Sequence, residues 1–80
     1  MHQVPPTFWV DGAAIRKRRM QKGMSTSDLA RVTGASVSYI NKIELGSRDQ
    51  MGPQLYVALR TALQATDDDL LTHEDPHERK

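Results

Sequence analysis

Residues 25–46 of this 80-residue chain, STSDLARVTGASVSYINKIELG, decide its fold. The first serine is followed three positions later by an aspartate, and this capping-box pattern begins a helix. Gly34 ends that helix, and Ser36 is the expected N-cap of a second helix, which stops before Gly46. The stretch therefore predicts two short helices that are joined by a tight turn containing a glycine.

The second of these helices has two different faces at about 100° per residue. Ile40 and Ile43 point to one side, which we interpret as the buried face. The opposite face is short and mostly hydrogen-bonding, and it carries Ser38, Asn41, Lys42 and Leu45. Such a face fits the major groove of DNA, which is about 12 Å wide, and can meet base edges. The pair has the form of a helix-turn-helix, although many helical hairpins also have a glycine in the turn.

Three more helices are predicted around this pair. Asp11 is the expected N-cap of the first, Pro53 suits the first turn of the fourth, and Thr66 begins a short fifth. The expected helices cover residues 12–22, 26–33, 37–45, 53–63 and 67–71. Because no strand pattern or repeat is present, the predicted fold class is all-α, a compact five-helix bundle with no sheet.

Two segments flank the predicted domain at residues 11–71. Residues 1–10 contain two prolines and predict an extended N-terminal arm, while residues 72–80 are polar and predict a short disordered tail. The aromatic pair Phe8–Trp9 is expected to pack on the core, with a dimer contact as the alternative.

One set of apolar residues is expected to form the core: Ile15, Leu29, Ala30, Ile40, Ile43, Leu59, Leu63 and Leu70. In the fourth helix, Tyr56 and Val57 fall outside the apolar stripe. We interpret them as scattered surface residues, with a modest apolar patch for dimer contact as the alternative. Arg19 lies on the same side of the first helix as the core, and an unpaired buried charge is costly. Glu44 is its expected partner, unless both side chains reach solvent.

Charge is distributed unevenly along the chain. Residues 1–48 contain eight Lys and Arg against three Asp and Glu, a net charge of +5. Residues 49–80 contain three against seven, a net charge of −4. A basic half can face phosphates, although chance clustering of solvated charges explains the pattern equally well. Since neither a membrane-spanning apolar run nor a signal-peptide pattern is present, we expect a cytoplasmic protein.

Catalysis, cofactors and metal binding are not expected. The chain has no cysteine, and it shows neither a glycine-rich phosphate loop after a strand nor a credible Ser/His/Asp set. The acidic run at residues 67–69 is explained by helix-start electrostatics. Residue types that bind metals also occur in the polar tail, where no scaffold would hold them: His73, Glu74, Asp75 and His77.

Short motifs follow one another in a definite order along roughly residues 11–71. They are Ile15-Arg16-Lys17-Arg18-Arg19, Gly23-Met24-Ser25, Asp28-Leu29-Ala30, Gly34-Ala35-Ser36, Tyr39-Ile40, Ile43-Glu44-Leu45-Gly46-Ser47-Arg48, Leu59 to Leu63 and Asp69-Leu70-Leu71. In order and spacing they resemble the Cro/CI-type (Xre) helix-turn-helix of phage repressors and bacterial regulators. This resemblance implies a lambda-repressor-like bundle and sequence-specific binding of double-stranded DNA.

The resemblance also implies roles for individual residues. Helix 3, at about residues 37–45, would be the recognition helix, and its base-reading side chains would be Val37, Ser38, Asn41 and Lys42. The residues implied at the DNA backbone are Thr26, Ser36, Tyr39 and Arg48. Arg19 and Glu44 match the internal ion pair of the family. The chain departs from the family in three ways. Its base-reading positions lack the glutamine often seen in phage members, and Val37 among them can make only apolar contact. Thr33 stands where an apolar residue is usual, and the loop at 46–53 is longer.

Two classes of function remain open. The first is a Cro-like repressor that occupies an operator, as a homodimer that could form only on DNA. The second is a protein-interaction role, such as the antitoxin of a toxin–antitoxin pair. An antitoxin needs a toxin-binding segment, and only residues 1–10 and 72–80 are available for it. Co-purification with the product of a neighbouring gene would distinguish the two.

Overall fold

The computed structural model describes residues 7–72. Within this part the chain forms five helices, α1 (Gly12–Gln21), α2 (Thr26–Thr33), α3 (Val37–Leu45), α4 (Pro53–Leu63) and α5 (Asp67–Leu70). Two strands, β1 (Phe8–Trp9) and β2 (Gln50–Met51), pair antiparallel. The predicted five-helix fold is confirmed, and each helix begins and ends within one residue of its expected position.

Side-chain caps explain why the helix limits were predictable. Asp11 caps α1, and the Ser36 hydroxyl accepts a hydrogen bond from the Tyr39 amide at 3.0 Å at the start of α3. The expected capping boxes of α2 and α5 are both closed. In the first of them the Ser25 amide donates to the carboxylate of Asp28 and lowers its pKa. Each cap provides a partner for an amide that the helix itself leaves without one.

The core contains all eight predicted residues, and three more apolar side chains join them: Val10, Met51 and Tyr56. The prediction that Tyr56 lies on the surface is wrong, because this residue is only 1% exposed. The ring of Phe8 stacks on it with centroids 4.4 Å apart, and its hydroxyl donates to Asp67 at 2.5 Å. Burial and this hydrogen bond raise the pKa of Tyr56 to about 12. Its neighbour Val57 is exposed.

Helices α1 and α3 approach each other backbone to backbone at Gly12. A Cβ atom at this position would lie 2.0 Å from the carbonyl oxygen of Ile43. Because that distance is far shorter than a van der Waals contact, any other residue here would push α3 away from α1. Glycine at the start of α1 therefore sets the depth at which α3 sits on the core.

The small sheet corrects the expectation of a chain without strands. Phe8 pairs with Met51 and Trp9 with Gln50, and Val10 forms a further bridge to the chain after α5. Strands of two residues have no detectable alternation, and their partners lie about forty residues away in sequence. Much of the predicted arm and tail lies outside the described residues, as do His73, Glu74, Asp75 and His77.

Candidate nucleic-acid interface

The turn between α2 and α3 is held by backbone hydrogen bonds. Gly34 has φ of +79°, in the left-handed region that favours glycine, and its N–H donates to the carbonyl of Ala30. The amide of Ala35 donates to the same carbonyl at 3.0 Å. These contacts fix the angle at which α3 leaves α2, so that one face of α3 lies on the core and the other is exposed.

The exposed face of α3 carries the residues that were predicted to read bases. Ser38, Asn41 and Lys42 are exposed, Val37 is 39% exposed, and Leu45 is 80% exposed. Between residues 7 and 72, the side chains of the three polar members form no hydrogen bond or ion pair with the protein. Their donors and acceptors are therefore available to a ligand.

The opposite face of α3 is anchored by an ion pair. The guanidinium of Arg19 donates to both oxygens of Glu44, at 2.7 and 3.0 Å, and to the carbonyl of Met24 at 2.7 Å. The two charged side chains are only 11% and 5% exposed. The hydrogen bonds to Glu44 raise the pKa of Arg19. This contact joins α1, the turn before α2, and α3.

The residues predicted to contact the DNA backbone lie beside the exposed face of α3. Thr26 is the first residue of α2, while the Ser36 hydroxyl is occupied by its capping hydrogen bond. The Tyr39 hydroxyl donates to the carbonyl of Gln50 at 3.4 Å, and the guanidinium carbon of Arg48 lies 5.4 Å from the Tyr39 ring centroid. The structure thus brings Tyr39 and Arg48 together at one edge of α3, with Ser36 next to them.

Two polar side chains have structural roles that sequence analysis did not assign. Arg18 donates to the carbonyls of Leu63 and Gln64, at 3.0 and 3.1 Å, and so caps the C-terminus of α4. The Thr33 hydroxyl donates to the carbonyl of Leu29 at 2.7 Å, which explains how a polar residue is accommodated there. Residues 16–19 of α1 are all basic, and the sequence does not indicate which of them form hydrogen bonds within the fold.

No three His, Cys, Asp or Glu side chains in residues 7–72 are grouped so that they could hold a metal ion. None of the described helices is both long enough and apolar enough to span a bilayer.

A family model described as a helix-turn-helix domain matches residues 12–73. The chain belongs to the helix-turn-helix family. The predicted resemblance to its Cro/CI (Xre) type is confirmed by this match and by similar solved structures. No curated protein matches the chain.

Three solved helix-turn-helix structures illustrate the similarity. The restriction-modification controller protein C.AhdI from Aeromonas hydrophila is 31% identical, with 72% of this chain and 86% of that chain covered, and a TM-score of 0.65. The N-terminal DNA-binding domain of SinR from Bacillus subtilis is 27% identical, with 84% and 94% covered and a TM-score of 0.67. SinR, a master regulator for biofilm formation, in complex with DNA is 29% identical, with 69% and 87% covered and a TM-score of 0.65.

Proposed function

We propose that this helix-turn-helix protein is a sequence-specific regulator of transcription, a Cro-like repressor that places α3 in the major groove of an operator. The exposed face of α3 carries the proposal. Its polar side chains have no partner among the described residues, while its other face is held by the core and the Arg19–Glu44 pair. Similarity to a protein solved in complex with DNA supports the same conclusion.

Base readout is assigned to the centre of this face. Ser38 and Asn41 offer both donors and acceptors to base edges, and Lys42 donates to O6 and N7 of guanine. Val37 has no polar group, so its contact is apolar, with the methyl group of a thymine. The chain would therefore prefer particular base pairs at a few adjacent positions.

Backbone contacts are assigned to the edge of the same surface. Thr26 and the free amides at the start of α2 bind one phosphate. Tyr39 and Ser36 approach the sugar–phosphate backbone, and Arg48, held over the Tyr39 ring, pairs with a phosphate. These contacts set the register of α3 without reading sequence.

Selection of bound sites from random duplex DNA tests the proposed function. We expect enrichment of a pseudo-palindrome, because a single short recognition helix binds weakly and two copies of the protein bind together. The centres of the two half-sites should lie ~34 Å apart, which is one turn of the DNA helix. The palindrome would be bound by a homodimer, which analytical ultracentrifugation with and without the duplex detects. Recovery of no enriched site would contradict sequence-specific binding, and a single protected half-site at saturation would contradict the homodimer.

The division between base and backbone contacts predicts two different defects. Lys42→Ala should weaken operator binding by ~1–3 kcal/mol and relax preference at one base position, with a smaller loss on random DNA. Arg48→Ala should weaken binding to both duplexes alike, and the slope of log affinity against log salt concentration should become shallower by about one unit. Both variants are titrated on both duplexes over a salt series.

Lys22→Ala is the matched control, because it removes one exposed positive charge that contacts Gln64, at the C-terminus of α4. Its affinity and salt slope should stay close to those of the unsubstituted protein. Equal losses for Lys42→Ala on both duplexes, with base preference intact, would assign Lys42 to the backbone instead.

A further inference from the structure

The loop that carries Arg48 is tied to the beginning of the described chain. Residues 46–52 connect α3 to α4, and β2 in this loop pairs with β1. The Val10 amide also donates to the carbonyl of Asp49 at 2.9 Å. The second half of the loop is therefore held by residues 7–10, which we call the brace.

The brace is itself anchored to the domain on its other side. The Thr72 amide, after α5, donates to the carbonyl of Trp9 at 2.9 Å. Phe8 stacks on the buried ring of Tyr56 in α4. The brace thus lies between the α3–α4 loop and the chain that follows α5, and it is hydrogen-bonded to both.

A short series of contacts leads from the brace to the proposed DNA-binding edge. The Thr7 hydroxyl contacts the side-chain oxygen of Gln50 at 3.4 Å, and the carbonyl of Gln50 accepts from the Tyr39 hydroxyl at the same distance. Arg48 lies over that tyrosine ring. Thr7, Tyr39 and Arg48 line one cleft, so the brace ends beside the backbone-contacting residues.

We propose that the brace positions Arg48 and Tyr39 for contact with the DNA backbone, so that Phe8, whose ring stacks on Tyr56 of α4, controls DNA affinity as a positioning residue. This inference rests on the proposed function. A loop without the brace would sample more conformations, and the apparent affinity falls in proportion to the fraction of molecules in the binding-competent one. The loss should therefore be independent of base sequence.

Phe8→Ala removes the stack on Tyr56 and tests this inference. We expect a loss of roughly five- to tenfold in affinity for both the selected operator and random duplex, with a shallower salt dependence. In an Arg48→Ala background the same substitution should cost less than about twofold, because the phosphate contact of the loop is already absent and only that of Tyr39 is left to position. Phe8→Leu, which keeps an apolar contact, should give an intermediate loss and serves if Phe8→Ala does not fold.

Ile15→Val is the control, since it weakens the core at α1 and leaves the stack of Phe8 on Tyr56 in place. At a temperature where circular dichroism shows every variant folded, it should bind like the unsubstituted protein. Amide hydrogen exchange of Arg48, whose N–H donates to Lys42, should accelerate in Phe8→Ala but not in this control. Two results would overturn the role of the brace and leave the proposed function intact. One is unchanged DNA affinity of folded Phe8→Ala and Phe8→Leu, and the other is an equal loss of affinity from Phe8→Ala with and without Arg48. Failure of the unsubstituted protein to bind any duplex would overturn the proposed function, and the brace would then only stabilise the fold.

Discussion

Glu44→Ala is expected to lower the free energy of unfolding by roughly 3–5 kcal/mol, which is most of the stability of a domain this small. Arg19 donates two hydrogen bonds to this carboxylate, and its own side chain is only 11% exposed. Without Glu44 the guanidinium keeps its charge, and its one remaining partner among residues 7–72 is the Met24 carbonyl. The penalty therefore comes mainly from a buried charge that has lost its counter-ion.

Urea unfolding of Glu44→Ala, Arg19→Met and the double variant measures this effect. We expect the double variant to be more stable than the sum of the two single losses predicts, because removal of both charges leaves none buried. Arg31→Ala is the control, since its ion pair with Asp28 has a 70% exposed arginine and should contribute less than about 1 kcal/mol. A coupling energy near zero between Arg19 and Glu44 would show that the pair is solvated in solution.

Ile40→Ala is expected to cost ~2–5 kcal/mol, the second-largest effect. The side chain is 2% exposed and lies on the buried face of α3, at the centre of the helix that is proposed to enter the groove. Its removal leaves a cavity that close-packed neighbours fill only in part. We expect a lower midpoint of unfolding with no change in cooperativity.

Val37→Ala provides the comparison on the same helix, because Val37 is 39% exposed and its truncation should cost well under half as much. Thermal and urea unfolding of both variants separate burial from helix propensity, which favours alanine over either β-branched residue. A cooperative melt of Ile40→Ala at the temperature of the unsubstituted protein would contradict the assignment of this face to the core.

The candidate site was predictable to the extent that it depends on one helix. The buried face of α3 follows from the spacing of Ile40 and Ile43, and the exposed face is whatever remains. The pairing of Arg19 with Glu44 could be expected from the cost of a buried charge together with a family resemblance. Sequence reasoning left the placement of Arg48 undefined, because its loop is positioned by the brace.

Local interactions account for what the sequence by itself determined. Caps, left-handed glycines and apolar periodicity act within about four residues, so helix limits and core faces can be read along the chain. Tertiary structure alone decided the contacts between distant segments: the pairing of β1 with β2, the burial of Tyr56 beneath Phe8, and the capping of α4 by Arg18. These contacts depend on which surfaces meet after the helices pack. The apolar periodicity of a segment identifies its buried face but does not identify the distant segment that packs on that face.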